Sequence, residues 1–503
     1  MGRVKARKAG AARLLGLGVV LALMSAGCGT RLGDDQAARE ARADARRAGL
    51  LRAGGGSLAA GDTTVGGASE ALNASSTGTA SASVAGAGAA SGGAAGTASG
   101  AASAAGAAAA ADTGSAAAPA GGNGGATDVG LSATEMKVGW VGTLSGPVPG
   151  LFRGALVGTQ AAMAYQNSLG GLFGRRIKVQ AADDAFDSGR NRAGHLQLKD
   201  QVFGFVGSFS VNDDGGISVL QECKCPDVGA ALTQAHADLP TTYSPQPVKR
   251  GWRTGLFKEI KAQYGAPVIE KVAFFVSSIQ SAREIAAAER KVMEGLGYKI
   301  VYTREIGPNE TNFTGDVIQM RNQGVKMLAY QGDVGNMARL AASMDQQNFK
   351  VTVPNWGNAM YDDQAFKIAS PKALEGTIID AVYAMFRGED GQRIPEVALF
   401  NQWMKKVDPN QVVDLFSFYG WLSGRLFVEA AEKAGPQLTR QKILSALSQF
   451  GTWDGHGSVG PVNVGQKKPS DCYMVLKIHD GKFVRTEPTD KSFQCVPDGF
   501  VYV

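Results

Sequence analysis

Residues 138–154 read VGWVGTLSGPVPGLFRG. An apolar run stops at Leu144-Ser145-Gly146-Pro147, and an amphipathic stretch follows a few residues later. A buried strand feeding a helix through a Gly/Pro turn gives this pattern. Phosphate loops, catalytic elbows and solute-binding clefts all begin in this way. The Gly142 to Gly146 spacing fits no Gly-x-Gly-x-x-Gly turn, Walker loop or Gly-x-Ser-x-Gly elbow. Ser145 has no evident His or acidic partner, and no His-Glu-x-x-His motif occurs. Neither an enzyme nor a cofactor is expected.

Outward from this stretch, strand and helix alternate. MKVGWVG reads as a strand and 152–169 as a helix. RRIKVQAADD is a strand, 189–201 a helix, FGFVGSF a strand, GGISVLQECK a helix and PDVGAAL a strand. These apolar runs lack strict alternation, as expected for strands buried on both faces of a parallel sheet. The pattern restarts after Arg253 with KVAFFVSS, YKIVYTREI, VKMLAYQGD and KVTVPNW. Helices centred near Glu289, Ile318 and Ala341 separate these strands, and GTIIDAVYAMF adds another. A long helical stretch, LFSFYGWLSGRLFVEAAEKAG, precedes a β-rich tail in which Asp480-Gly481 marks a hairpin turn. The expected fold is α/β, with two parallel-sheet lobes in tandem. Ligands of open parallel sheets sit beyond the carboxyl ends of the strands, so the site belongs at those ends, in a cleft between lobes.

The segment before residue 131 is different. From 53 to 130 it is almost entirely Ala, Gly, Ser and Thr, too poor in large apolar groups to offset chain entropy. Residues 1–28 have a basic start, a short apolar stretch from Leu14 to Met24, and the ending LMSAGC. The apolar stretch is too short for a spanning helix and reads as an export signal. Small residues before Cys28 resemble a bacterial lipobox, although Ser25 stands where Leu is favoured. This reading attaches a lipid to Cys28 and places the protein on the outer face of the cell membrane. The alternative is ordinary signal cleavage and a soluble secreted protein. Residues 29–130 would then be a flexible tether, with an r.m.s. span of roughly 50–60 Å for about 100 residues.

The formal charge of +6 is concentrated near the start. From 131 onward the balance is about +3, from 40 basic and 37 acidic residues, with no basic stripe interleaved with aromatics. Nucleic acid is not an expected partner. His195, His236, His456 and His479 are isolated in the sequence, so no metal site is expected. Export permits disulfides. Cys472 and Cys495 would clamp the C-terminal hairpin, while Cys223 and Cys225 would bridge locally or pair elsewhere.

The ordered segments resemble the leucine/isoleucine/valine-binding type of ABC-transporter solute-binding proteins, which have the type I periplasmic-binding fold. MKVGWVGTLSGP is similar to that family's first strand and loop. GTQAAMAYQNSLGGLFGRRIKVQAADD is similar to its first helix, Gly-Gly turn and second strand. FVGSFS, ALTQ, TNFTGDVIQMRNQGVKML and the GPVNVG…YMVLKIHDGKFV tail follow in family order. The resemblance spans about Glu135 to Arg485. It implies lobe 1 at 131–255, lobe 2 at 256–386, lobe 1 helices again at 387–455, and a tail at 456–503 mostly in lobe 2. It also implies a small-molecule ligand and ABC permease subunits as partners. The ligand would be an amino acid, an amide or a related small carboxylate or aromatic compound. A sensing receptor of the same fold, uncoupled from transport, is the alternative.

Strand-end loops and helix N-termini offer N–H groups to a carboxylate. On that basis, Ser145, Ser210, Asn212, Thr233 and Gln234 are the expected lobe 1 contacts. Each is also a common cap or turn residue. Phe152 or Leu151 stands where the family places a bulky side chain over the ligand. In lobe 2, Ser281-Ala282 replaces an aromatic Tyr-Gly. Trp356 stands where amino-acid binders present an acid, leaving Asp333 as the acid at a strand end. Trp356 would stack on an apolar ligand or face a cation. These departures leave the ligand open, because specificity lives in the site rather than in the fold.

Overall fold

A computed structural model describes residues 122–503, apart from 248, 249, 309 and 491. The export signal, Cys28 and nearly all of the Ala/Gly/Ser-rich segment lie outside the described residues.

The first sheet has five parallel strands in the order β2-β1-β3-β4-β5. They are β1 (Glu135–Gly142), β2 (Arg176–Asp183), β3 (Phe205–Val206), β4 (Asp227–Val228) and β5 (Thr242–Tyr243). Helices α1 (Arg153–Ser168), α2 (Ser188–Leu198) and α3 (Ile217–Cys223) make the crossovers. The regular parts of β3 and β4 are only two residues long, shorter than the apolar runs around them.

A short strand, β6 (Gly251–Arg253), and helix α4 (Gly255–Tyr264) lead into the second sheet. There β7 (Val272–Ser277) lies between β8 (Ile300–Ile306) and β9 (Met327–Gln331), all parallel. Their crossovers are α5 (Gln280–Gly295) and α6 (Thr314–Asn322). Helix α7 (Val334–Gln346) leads to β10 (Val353–Asn355), and β11 (Ile378–Ala381) follows in the same parallel direction.

The chain then forms α8 (Pro395–Val407), α9 (Leu415–Ala434) and α10 (Arg440–Ser448). Helix α8 was not singled out from the sequence. Helices α8 and α9 pack on α1 and so belong to the first sheet's layer. The approach of α9 to α1 requires glycine: a Cβ on Gly158 would lie 1.9 Å from the Ser417 carbonyl oxygen, and one on Gly420 2.1 Å from that of Ala155. After a short pair, β12 (Thr452–Trp453) and β13 (Val462–Asn463), β14 (Cys472–His479) and β15 (Lys482–Glu487) add antiparallel strands to the second sheet, beside β11. Asp480 and Gly481 both have positive φ, 49° and 69°, as a type I′ hairpin turn demands. The tail closes with β16 (Gln494–Cys495) on β14 and β17 (Phe500–Tyr502) on β6. Disulfides join Cys472 to Cys495 and Cys223 to Cys225.

One boundary is corrected. Residues 123–128, assigned above to the linker, are fixed to the first lobe. Arg175, fully buried, donates to the Asn123 and Gly125 carbonyls, and the Asn123 side chain donates to Ala133 and Phe173. Thr127 donates to the Leu438 carbonyl, and Asp128 accepts from the Arg440 backbone at the start of α10. A buried guanidinium with several carbonyl acceptors holds a segment that composition alone assigns to a tether.

Candidate functional site

In the first sheet β2 and β3 flank β1 on opposite sides, so the order reverses between β1 and β3. In the second sheet the same reversal falls between β7 and β9. Crevices open where neighbouring strand connections diverge to opposite faces. Both reversals open on one cavity of about 290 Å³, near the lower end of the ~300–1,000 Å³ typical of ligand pockets.

One wall of the cavity is aromatic. Phe152, at the N-cap of α1, has its ring centroid 4.4 Å from Phe209, beyond β3, and 4.8 Å from Phe416 on α9. Phe209 lies 5.2 Å from Phe416 and 5.4 Å from Tyr419. Leu151, Val211 and Leu232 extend this surface. The start of α9 is fixed by a capping box: Ser417 N–H donates to Asp414 Oδ1 at 2.6 Å, and Asp414 N–H donates to Ser417 Oγ at 2.9 Å. That cap fixes where Phe416 and Tyr419, three residues apart, enter the cavity wall. They were not singled out from the sequence. Their aromatic i, i+3 spacing in LFSFYG was the available signal.

The other side carries Ser277 at the end of β7 and Ile279 beyond it, Ser281 and Ala282 on α5, Gln331 at the end of β9 and Asp333 beyond it, and Trp252 and Arg253 of β6. Among the described lining residues, Arg253 and Asp333 are the charged ones, and both are engaged within the protein. Arg253 Nη2 lies 2.9 Å from Asp380 Oδ2. Asp333 caps α7 and accepts from the Asn336 backbone and side-chain nitrogens at 2.8 and 3.0 Å. Behind Gln331, whose Nε2 donates to Glu289 Oε2 at 2.7 Å, the Glu289 carboxyl is buried. Burial, then the nearby Asp380 charge, push its pKa up to about 8. Glu289 is therefore mostly protonated at neutral pH, and Arg253 with Asp380 leaves no net charge.

Of the expected contacts, Phe152, Ser281 and Asp333 line the cavity, as does Leu151. The other lobe 1 residues do not line it, and for all of them but Asn212 the chain's own carboxylates hold their donors. Asp183 accepts from Leu144 N at 2.9 Å, Ser145 N at 3.2 Å and Ser145 Oγ at 2.5 Å. Ser210 donates its hydroxyl to Asp184. Asp213 accepts from Leu232 N at 2.5 Å, Thr233 N at 3.2 Å and Thr233 Oγ1 at 2.6 Å. Asn212 precedes the turn Asp213–Gly216 without a side-chain capping bond. Gln234 Nε2 donates to Asp238 at 2.7 Å, and its backbone N–H reaches Glu284 of α5 at 2.9 Å, tying the two sheet layers together.

Asp213 is itself anchored. Buried His236 bridges it and Asp227, with contacts of 3.0 and 2.8 Å. Burial opposes the imidazolium, but the two carboxylates outweigh it and raise the His236 pKa to about 10.

Trp356 is a correction. Its side chain is buried against Tyr330, with centroids 6.5 Å apart, and borders a separate hollow of about 50 Å³ with Ala341, Met344 and Phe349. Trp356 N–H continues the β10–β11 ladder by donating to the Ile378 carbonyl, and the indole packs beside α7 and away from the cavity. Among the described residues, Glu375, His479 and Asp480 come close enough to share a cation, but all are exposed and none lines the cavity.

The family model described as periplasmic binding protein matches residues 135–482. The chain belongs to the periplasmic binding protein family. A Leu/Ile/Val-binding protein homolog of Brucella abortus is 22% identical over 330 residues, covering 64% of this chain and 84% of that one. Among solved structures, a branched chain amino acid ABC transporter protein from Thermus thermophilus with bound valine superposes with a TM-score of 0.62 at 16% identity. It covers 72% of this chain and 97% of that one. A fatty acid ABC transporter substrate-binding protein from Thermomonospora curvata gives 0.60 at 19% identity, covering 73% and 94%. The resemblance read from the ordered sequence segments therefore holds. This is a non-enzymatic, solute-binding member of an extracytoplasmic family, and no helix among its described residues is long and apolar enough to cross a membrane.

Proposed function

We propose that this periplasmic binding protein captures one small molecule between its lobes and delivers it to an ABC permease, while a lipid on Cys28 holds it at the outer face of the membrane. The observation that carries the reading is the cavity at the chain reversals of both sheets. A ligand there touches both lobes at once, so binding favours their closure about the connecting segments. Residues 29–121 would give the lobes reach to a permease. Of the expected contacts, Phe152, Ser281 and Asp333 keep a place at the ligand.

Thermal unfolding of the full-length chain against a small-molecule library tests capture. A saturating ligand at about 100 times its Kd should add ~2.7 kcal/mol of stability. Silence across amino acids, amides, aromatic acids, ketones and hydrocarbons would refute it. Anchoring is tested by Cys28→Ser, which should move the protein from the membrane fraction to the soluble one. Uptake of the identified ligand should fall in cells lacking the protein.

A further inference from the structure

The geometry points to a ligand that is mostly apolar and carries one uncharged hydrogen-bond acceptor, without the ammonium and carboxylate of an amino acid. This rests on the solute-binding reading above and narrows it to a chemical class.

The carboxylate grip is already occupied. Three loops that sequence assigned to a ligand carboxylate give their donors to Asp183, Asp184 and Asp213. Asp213 cannot easily leave, because it is buried and paired with His236, which Asp227 holds from the other side. A ligand carboxylate would meet loops already facing protein carboxylates and would gain no free donor from them. Repulsion between like charges adds to that loss.

The ammonium grip is missing as well. Asp333 is committed to the first turn of α7 through Asn336. Asp380 is committed to Arg253. A zwitterion would therefore enter an apolar cavity with its ammonium uncompensated and its carboxylate facing an arginine whose charge Asp380 already neutralises, which is strongly unfavourable.

What the cavity does offer is uncommitted donors. Ser277 Oγ, Arg253 Nε and Gln246 Nε2 are buried atoms with no hydrogen-bond partner among the described residues, and all three residues line the cavity. Ser277 is 1% exposed. Buried donors rarely stay unpaired, so each marks a point on the cavity wall where a polar atom is to be received. All three can donate, which selects an acceptor such as a carbonyl or ether oxygen. The ligand's apolar body would lie on the Phe152, Phe209, Phe416 and Tyr419 wall.

The test measures binding of two matched series to the full-length protein by calorimetry. One series is 4-phenyl-2-butanone, butylbenzene, 3-phenylpropionate and phenylalanine. The other is 5-methyl-2-hexanone, 4-methylpentanoate and leucine. The ketones should bind at least about tenfold more tightly than the carboxylates or the amino acids. An amino acid or carboxylate binding as tightly as its ketone would overturn this inference and leave solute capture intact. Silence in both series would overturn capture at this cavity together with it. Ser277→Ala removes an unpaired hydroxyl and leaves the packing intact. It should weaken 4-phenyl-2-butanone by about 3- to 10-fold and leave butylbenzene unchanged. Equal weakening of both, or of neither, would refute the assignment of the head group.

Discussion

Replacing Glu289 by Gln isolates one buried charge beside the cavity. The wild-type carboxyl moves from its ordinary 4.5 to about 8 on folding, because burial and Asp380 disfavour its charge more than Gln331 and Arg253 favour it. Between those pH values the folded protein keeps a proton that the unfolded chain has lost, so stability falls as pH rises. The contribution is complete below about 4.5 and gone once pH passes about 8. At ~1.36 kcal/mol per pH unit, that displacement corresponds to about 5 kcal/mol. Gln copies the protonated carboxyl in shape and still accepts from Gln331. Urea unfolding of both proteins at pH 5, 7 and 9 reads the difference. At pH 5 the two should agree within about 1 kcal/mol, and by pH 9 the Gln variant should be more stable by several kcal/mol. His236 also loses stabilisation as pH rises from 6.5 to about 10, but it does so in both proteins and cancels. A gap that does not change with pH, or a Gln variant that is the weaker at pH 9, would refute the reasoning.

Other outcomes follow from the same geometry. Asp213→Asn leaves buried His236 with one carboxylate and weakens the cap on Thr233. It should cost ~3–5 kcal/mol at pH 7 and less above about pH 10, by urea titration. Phe152→Ala removes a buried ring at the centre of the aromatic wall. A loss of ~3–5 kcal/mol is expected, with weaker binding of any aromatic ligand found by calorimetry. Gly420→Ala places a methyl 2.1 Å from the Ala155 carbonyl oxygen and forces α9 from α1. Thermal unfolding should show a cost of at least ~1–3 kcal/mol, and an unchanged midpoint would mean that the helices do not pack so closely.

The succession of strands and helices along the chain was legible because apolar runs and Gly/Pro punctuation are local signals. KVAFFVSS becomes β7 and VKMLAYQGD becomes β9, each buried on both faces of a parallel sheet. Short strands were harder in one respect: PDVGAAL yields a regular strand of only two residues, although Gly229 and Ala230 still donate to the Tyr243 and Ser208 carbonyls. The site was half legible. Phe152, Ser281 and Asp333 stand at strand and helix ends that periodicity already marks. Trp356 does not face the cavity, because a strand end has two sides and sequence does not say which one the indole takes.

By itself the sequence determined most of the elements, their order along the chain and the approximate positions of their ends. Those depend on residue types a few positions apart. The structure decided which polar groups remain free. Asp183 lies 38 residues from Ser145, and Asp213 lies 20 from Thr233. Only the folded chain brings each carboxylate to its donors, and that pairing turns an expected grip on a charged ligand into an apolar cavity with a few unpaired donors.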